Sequence, residues 1–419
     1  MYKRQEVTNT NDSGVGSLRG VLDYARNKSG ADTVTFAPEL SGATLRLQSE
    51  IAVTDGNGVT IDVTALPGGF TIDGDRDNNG TNDTRLFFNN TGSSLTLKGL
   101  SLVHGWAEED AGGAICNLNG TLALIRCTLS GNRADFDGGA IYTAGLLSLT
   151  QCTLSGNTAV DGKGGGIYVD SPGTLTLTHC TVAGNTLGAI RPGPGIYSET
   201  AATLNWSIVS GISADVSWTD NSSLINANAQ LAPLGNYGGP TQTMALLPSS
   251  PARNAATGSI ILSDQRGFPI VSVRDIGAYE AGTFNSFTTW SWETAGTALA
   301  FTSDSDTDGA NAGLEYALRR NPALSDTLLN PTLTGPTGAH VFGFRFRAAA
   351  TDLRYIVQRS SDLSSANNWQ EIYRYDKSVS LIIKSGVSSV EDFNSEVITI
   401  NDPTGGTKLF WRLRIEQAP

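Results

Sequence analysis

The sequence predicts an all-β solenoid of short parallel strands, and three observations support that prediction. Nearly identical segments begin at Cys127, Cys152 and Cys180, each keeping its two ends and changing only its middle. Apolar residues alternate with polar ones just before these segments, as at Leu122 and Leu124, which is typical of strands with one buried face. The 419 residues include 48 Gly but only two Met, a composition that suits an all-β extracellular protein.

The repeat length indicates how the strands are arranged. An isoleucine that follows a glycine-rich turn recurs at Ile115, Ile141, Ile167 and Ile196, with spacings of 26, 26 and 29 residues. A period of this size gives one rung of strands and turns per copy, and adjacent rungs stack about 4.8 Å apart. One rung cannot bury its apolar face alone, so the copies share a continuous core. We therefore predict a parallel β-helix, with surface loops at the segments that vary.

The cysteines occupy two different positions in the repeat. Cys127, Cys152 and Cys180 align with one another, and Leu100 takes the same position in the preceding copy. Because leucine substitutes there, the favoured interpretation is a row of buried, reduced thiols, with a disulfide or metal ligation as alternatives. Cys116 aligns instead with tyrosines, so we expect it to face away from the core.

Asparagines and glycines also recur in register. Asn132, Asn157 and Asn185 align, and we expect their amides to form a ladder across a turn. Glycine pairs such as Gly138 and Gly139, or Gly165 and Gly166, are expected to supply the positive φ of a tight corner.

Two further features concern the ends of the solenoid and its partners. The segment "SLRGVLDYARN" has apolar residues at helical spacing after Ser17, which predicts a helix that caps the first rung. The net charge of −12 disfavours nucleic acid as a partner. No stretch is apolar enough to span a membrane, and the first residues lack the apolar core of a signal peptide, so any export leader would lie outside this sequence.

Several motifs resemble those of bacterial surface proteins. The "GGAIY" and "CTLSGN" rungs resemble the right-handed parallel β-helix proteins related to polymorphic outer-membrane-protein repeats. The stretch Val7–Phe36 resembles the entry segment of that family, and Leu231–Glu280 resembles the choice-of-anchor module that often ends such β-helices. The resemblance implies a right-handed β-helix that is secreted or displayed on the cell surface, and it implies no single reaction.

The repeat ends near residue 280, which suggests a division of the chain. We predict a β-helix over residues 1–282, with its cap at 7–36 and the choice-of-anchor-like end at 231–280. Residues 283–325 are expected to be a linker, and alternation in "RYIVQRSSDL" and "KLFWRLRIEQ" predicts a small β-sandwich-like module over 326–419. We expect the protein to be a monomer.

The predicted linker contains the most specific chemical motif. Asp304, Asp306, Asp308 and Glu315 match the spacing D-x-D-x-D-G-x5-E of a calcium loop, in which the backbone carbonyl of Ala310 would be another ligand. Hard oxygen ligands at alternating positions can wrap one Ca²⁺. The alternative is a solvated acidic linker.

A second acidic run, "DGDRDNNGTND", offers a weaker match. Asp75, Asp77, Asn79 and Asp83 have a related spacing but lack the closing bidentate glutamate. A hydrated turn and a Ca²⁺ site are both consistent with this pattern.

The variable loops carry the candidate catalytic or binding groups. Stacking would place their charged residues along one side of the solenoid, which we call the loop flank. These residues are Glu108, Glu109, Asp110, Asp135, Asp137, Asp161, Lys163 and Arg191. With a calcium ion, Lys163 or Arg191 could act as the base of a polysaccharide lyase, and two carboxylates could instead serve a glycoside hydrolase. A noncatalytic glycan or ion contact and an ordinary solvated surface are the other interpretations.

The preferred function is a noncatalytic one, and whether the chain is an enzyme stays open. We predict an extracellular or cell-surface protein in adhesion, glycan binding or a structural role, with a polysaccharide or cell-surface glycan as partner. The alternative is a calcium-assisted lyase or hydrolase that acts on an extended, anionic polysaccharide along the loop flank. No Ser, His and Asp set is readable as a nucleophilic triad, and His104 simply aligns with a turn residue, Gly131.

Overall fold

The structure is a computed structural model, and two compact units, Met1–Ala281 and Gly282–Pro419, are described separately. The residues that it describes are 5–26, 29–188, 190–215, 217–270, 273–282, 287–299, 316, 332–334, 340–347, 350–360, 369–377, 381–384, 387–392, 397–402 and 410–417.

The first unit is a parallel β-solenoid, which confirms the predicted fold class. Within the described residues it contains four parallel sheets that run along the solenoid axis. Sheet A consists of Gln5–Val7, Asp32–Phe36, Val59–Asp62, Ser94–Lys98, Thr121–Ile125, Leu146–Thr150, Thr174–Thr178, Ala202–Asn205 and Thr219–Asn221. Sheet B consists of Thr44–Arg46, Phe70–Asp73, Leu100–Val103, Thr128–Ser130, Thr153–Ser155, Thr181–Val182, Ile208–Val209 and Leu224–Ile225.

In the part of the chain that the structure describes, the other two sheets have fewer strands than sheet A, and sheet D is present in four rungs only. Sheet C consists of Ile51–Val53, Phe87–Asn89, Ile115–Asn117, Ile141–Thr143, Ile167–Val169, Ile196–Ser198 and Ile212–Ala214. Sheet D consists of Trp106–Ala107, Arg133–Ala134, Thr158–Ala159 and Thr186–Leu187. The variable loops connect sheet D to sheet C, so their positions are fixed by strands at both ends.

The alternating sequence pattern produces the shared core. Leu122, Leu124 and Ile141 are buried, whereas Thr121 is exposed and Ala123 half-buried on the outer face. Strands pair with the same register in successive copies, so a leucine stacks on a leucine through several rungs. Each rung thus buries its apolar face against its neighbours, as the repeat predicts.

The predicted asparagine ladder is present and buried. The side-chain amide of Asn132 donates to Oδ1 of Asn157, and Asn157 donates to Oδ1 of Asn185, each at 2.8 Å. The same oxygens accept the backbone N–H groups of Asn132 and Asn157. The ladder therefore satisfies both side-chain and backbone donors at the turn between sheets B and D.

The three aligned cysteines are free and buried, as the favoured interpretation predicts, and Cys116 is free and buried as well. Cys127, Cys152 and Cys180 belong to the solenoid core, and burial raises the pKa of Cys152 well above its usual value. Cys116 pairs in register with Tyr142 and lies outside the core cluster. It is nevertheless only 6% exposed, and burial raises the pKa of its thiol to about 11.

The predicted positive φ is confirmed at Gly138, with φ 70°, and needs a correction of one position in the next copy. The residue with positive φ precedes each recurring isoleucine by three, so it is Gly164, with φ 67°, rather than Gly165 or Gly166. Gly139 is needed for a different reason. A Cβ there would lie 2.2 Å from the carbonyl oxygen of Gly165 in the next rung. One glycine of the pair provides the turn and the other permits close stacking.

A helix closes the start of the solenoid, in agreement with the sequence. Helix α1 spans Leu18–Ala25, and the hydroxyl of its N-cap, Ser17, accepts the backbone N–H of Gly20 at 3.1 Å. Leu18 is buried in the same core cluster as Val7 and Val34 of sheet A. A short 3₁₀ helix at Pro38–Leu40 follows the second strand of that sheet.

Residues 231–270 and 273–280, which we call the folded-back segment, lie against the outer face of sheet B. The segment is organised around the guanidinium of Arg266, which donates to Oδ2 of Asp264 at 2.7 Å and to the backbone oxygens of Tyr237 and Glu280. The same guanidinium lies 3.8 Å from the ring centroid of Tyr279. The buried charge of Arg266 is thus paired and hydrogen-bonded, which offsets the cost of removing it from water.

The second unit contains antiparallel sheets, as predicted for a β-sandwich-like module. In its described residues, one sheet consists of Thr332–Thr334, His340–Arg345, Val397–Asp402 and Ser388–Asp392. The other sheet consists of Leu381–Lys384, Gln370–Asp376, Leu353–Ser360 and Phe410–Gln417. Both sheets contribute to one apolar cluster, for example through Phe344 and Tyr355. Helix α2, Phe287–Ala295, adds Trp290 to that cluster.

Candidate functional site

The loop flank forms where sheet D ends, and the structure aligns its loops in register. The backbone N–H of Asp135 donates to the carbonyl of Ala107 at 3.1 Å, and that of Asp161 donates to Asp135 at 2.8 Å. Three successive loops therefore continue the ladder of sheet D before they diverge.

Two flank carboxylates are used to join successive rungs. Oδ2 of Asp135 accepts the backbone N–H of Glu109 at 2.9 Å, and Oδ1 of Asp137 accepts that of Lys163 at 2.7 Å. Arg133 also lies 3.5 Å from Asp135. These contacts give both aspartates a structural role in shaping the loops.

Lys163 is held over an aromatic ring. Its Nζ lies 3.9 Å from the ring centroid of Tyr197, in a cation–π geometry. The interaction with Tyr197 raises the pKa of Lys163, which keeps the amine protonated. A lysine that acts as a general base needs a lowered pKa, so this arrangement favours a positioning or binding role.

The aromatic ring below Lys163 is part of a rigid stack. Tyr142, Tyr168 and Tyr197 have neighbouring ring centroids 5.7 Å apart and nearly parallel planes. Each hydroxyl donates to a carboxylate of the following rung, and these acceptors are Asp170, Glu199 and Asp215. The stack thus braces the outer side of sheet C next to the loop flank.

The remaining charged residues of the flank project outward. Glu108, Glu109, Asp161 and Arg191 are exposed, and their side chains make no hydrogen bond or ion pair with any residue that the structure describes. Asp110 differs, because its carboxylate pairs with the buried guanidinium of Arg85. The flank therefore separates into structural carboxylates and groups that are free to meet a ligand.

One flank residue was missed by the sequence reasoning. Phe136 lies between the two structural aspartates, and its side chain is 48% exposed. Its backbone N–H donates to the carbonyl of Asp110 at 3.1 Å, which fixes its position in the loop. An aromatic residue within a variable, polar loop was the signal that could have identified it.

The weaker acidic run brings its aspartates together. Ligand oxygens of Asp75, Asp77 and Asp83 lie within 4.8 Å of one another. Asp75 is buried, which would raise its pKa, but the backbone N–H groups of Gly80 and Asn79 outweigh that effect and lower it. Oδ1 of Asn79 instead accepts the N–H of Thr81 at 2.8 Å. The loop is therefore shaped by its own hydrogen bonds, and calcium there stays a prediction.

The stronger calcium motif, with Asp304, Asp306, Asp308, Ala310 and Glu315, lies outside the described residues. We predict that Ca²⁺ raises the melting temperature of the second unit in the full chain, because an ion bound only by the folded state stabilises it. Differential scanning calorimetry with Ca²⁺ or a chelator measures this shift.

A double variant, Asp306→Ala with Glu315→Ala, should abolish the response. Asp75→Asn is the matched control, because it removes a carboxylate from the other acidic run and should leave the response of the second unit intact. A transition that is insensitive to chelator in the unmodified chain would show that residues 304–315 are an acidic linker.

The hydrogen-bonded pair of Asp73 and His104 was not predicted from the sequence. Nδ1 of His104 lies 3.0 Å from Oδ1 of Asp73, which is 31 residues earlier but only one rung away. This hydrogen bond raises the pKa of His104. His104 does align with Gly131, as expected, and both residues have positive φ.

Together these features define a parallel β-solenoid with a braced, partly charged loop flank. Residues 43–209 match the family model described as right handed beta helix region, which supports the predicted handedness. A search of curated proteins found no significant match. None of the described helices is long and apolar enough to cross a membrane. The fold is consistent with a surface protein or one that acts on polysaccharides, and the resemblances to outer-membrane repeats and the choice-of-anchor module stay predictions.

Proposed function

We propose that this chain is a secreted or cell-surface protein that binds an extended polysaccharide along the loop flank without cleaving it. The observation that carries this proposal is that some charged side chains of the loop flank are bonded within the protein, whereas others are exposed. Asp135 and Asp137 hold rungs together, and Lys163 is kept protonated over Tyr197. Three of the candidate catalytic groups, Asp135, Asp137 and Lys163, are therefore engaged in structure. Phe136, Arg191 and the outward carboxylates are open to a ligand.

The exposed groups indicate the chemical class of the ligand. The carboxylates of Glu108, Glu109 and Asp161 can accept hydrogen bonds from sugar hydroxyls. Phe136 offers an apolar ring face on which a sugar can pack. Unpaired carboxylates would repel an anionic polymer unless a cation bridged them, so a neutral polysaccharide fits this surface better.

Affinity electrophoresis tests the proposal. We expect gels that contain neutral polysaccharides, such as glucomannan or xyloglucan, to retard the chain. Phe136→Ala should weaken binding about tenfold, because loss of one apolar contact of this size costs about 1.4 kcal/mol. Leu146→Ala is the matched control, since Leu146 is 54% exposed on sheet A, away from the flank.

The same assays include the enzymatic alternative. Polygalacturonate and alginate with Ca²⁺ would yield an unsaturated product that absorbs ultraviolet light if the chain were a lyase, and a hydrolase would release reducing ends. Product formation that is lost in Lys163→Ala or Arg191→Ala would replace the proposal with catalysis. Equal retardation of Phe136→Ala and the unmodified chain would exclude the flank as the binding surface.

A further inference from the structure

The outer face of sheet B carries a row of hydroxyl groups that continues through several rungs. Thr71, Ser101, Thr128, Thr153 and Thr181 pair in register, one from each successive strand. Their spacing follows the strands, about 4.8 Å apart, so the row is a regular line of donors and acceptors.

Three of these five hydroxyl groups are covered by residues 231–270 and 273–280, the folded-back segment. Nε2 of Gln265 donates to Oγ1 of Thr128 at 2.9 Å, and Oγ1 of Thr153 donates to Oε1 of Gln265 at 2.6 Å. Oγ1 of Thr181 accepts the backbone N–H of Ala278 at 3.1 Å. Hydroxyl groups of this row therefore form hydrogen bonds with side-chain and backbone amide groups of the same chain.

The other two hydroxyl groups of the row are open. Thr71 and Ser101 are half-buried, and their hydroxyls make no hydrogen bond to any described residue. They line a groove of about 470 Å³ between sheet B and the folded-back segment. On the opposite wall, Asn236 and Gln242 are exposed polar residues.

The wall of the groove is fixed by a close backbone approach. A Cβ at Gly69 would lie 2.0 Å from the carbonyl oxygen of Pro240, so the folded-back segment touches the solenoid there. Thr128 also donates to the carbonyl of Gln242. These contacts hold the two sides of the groove, sheet B and the folded-back segment, in fixed positions.

His104 also lines the groove, and its ring is held in a fixed orientation. Nδ1 of its imidazole is bound to Asp73, and its side chain is 49% exposed. The ring lies over Gly131, where a Cβ would be 3.2 Å from Cδ2 of the imidazole. Asp73 thereby orients the ring and leaves Nε2 to meet a ligand.

We propose that this groove binds a short, hydroxyl-rich saccharide segment, held by the hydroxyls of Thr71 and Ser101, the amide of Gln242 and the imidazole of His104. Hydroxyl and amide groups both donate and accept, which matches the alternating needs of sugar hydroxyls. The volume lies within the usual range of about 300–1,000 Å³ for small-molecule sites. The groove is separate from the loop flank, so this inference does not depend on the proposed function.

Nuclear magnetic resonance of the full chain with labelled histidine tests the site directly. Cellobiose is the neutral probe and digalacturonic acid the acidic one, so the two arms show whether His104 meets a hydroxyl or a carboxylate. We expect at least one probe to shift the ring signals of His104. His104→Asn assigns those signals and suits the positive φ of 52°, which asparagine tolerates.

Binding measured on variants gives the second readout. Ser101→Ala and Gln242→Ala should each weaken the active probe about five- to tenfold, because each leaves sugar groups unpaired. Ser148→Ala is the matched control, since it removes an exposed hydroxyl from sheet A and should change nothing.

Two results would overturn the site. One is a set of His104 signals that neither probe moves at about 10 mM, a concentration that detects weak binding. The other is a signal shift with unchanged affinity in both Ser101→Ala and Gln242→Ala. Loss of flank binding in Phe136→Ala would affect neither measurement.

Discussion

The variant Asn157→Ala is expected to destabilise the solenoid by at least about 3 kcal/mol, because each buried polar group left unpaired costs about 1–3 kcal/mol. Asn157 is fully buried and makes four side-chain hydrogen bonds, two as acceptor from Asn132 and one each as donor to Leu129 and Asn185. Alanine removes all four. Because Asn157 is the middle member of the ladder, its loss also leaves the backbone N–H of Asn132 without its acceptor.

Chemical denaturation followed by circular dichroism measures this loss. Asn221→Ala is the matched control, because Asn221 is exposed at the last strand of sheet A and should change stability by less than about 0.5 kcal/mol. Hydrogen exchange should also become faster first in the rungs on both sides of Asn157. If the two variants have similar free energies of unfolding, water molecules or a local rearrangement of the backbone must replace the hydrogen bonds of Asn157.

The core of the solenoid could be predicted from sequence because it repeats. Cys127 and Cys152 occupy equivalent positions in copies that differ little, so their shared burial follows from one pattern. The ladder of asparagines follows for the same reason. A stacked repeat converts sequence spacing directly into spatial proximity.

Contacts that do not repeat were not predictable in this way. Asp73 and His104 meet because of their local register, although neither residue recurs in the following rungs. Gln265 reaches Thr153 from 112 residues away, because the segment after the last rung turns back over sheet B. No periodicity in the sequence encodes that return.

The loop flank shows the same limit at the level of individual side chains. Stacking of the loops could be inferred, and in the structure the backbone N–H of Asp161 does donate to the carbonyl of Asp135 in the preceding loop. The role of each charge could not be inferred, because Lys163 is directed onto Tyr197 by a different strand. Residue type alone therefore left three interpretations of Lys163 open: a catalytic base, a noncatalytic contact and an ordinary solvated surface.

A buried histidine under the folded-back segment leads to a pH-dependent prediction. The imidazole of His179 stacks on Trp206 with centroids 5.5 Å apart, and its Nε2 lies 2.6 Å from the hydroxyl of Ser259. Burial lowers the pKa of His179 to about 4, and the nearby charge of Arg274 adds to this effect. The backbone of Gly277 acts in the opposite direction but does not offset the burial.

This shift makes His179 a source of acid sensitivity. Between about pH 6.5 and 4 the unfolded chain binds a proton at this histidine and the folded chain does not, so stability falls as the pH falls. The full loss is about 3 kcal/mol and is complete near pH 4. Glu280 acts in the opposite direction, because burial raises its pKa to about 7.

The contribution of His179 must therefore be measured as the difference in stability between the unmodified chain and a variant without this histidine. Denaturation of the unmodified chain and of His179→Gln should be compared from pH 7 to 4, and the variant should lose less stability over that window. His104→Asn is the control of opposite sign, because Asp73 raises the pKa of His104 and favours its charged form. That variant should lose more stability than the unmodified chain as the pH falls. Parallel pH profiles for the unmodified chain and His179→Gln would mean that protonation of His179 is accommodated in the folded state, with the segment over it already open to water.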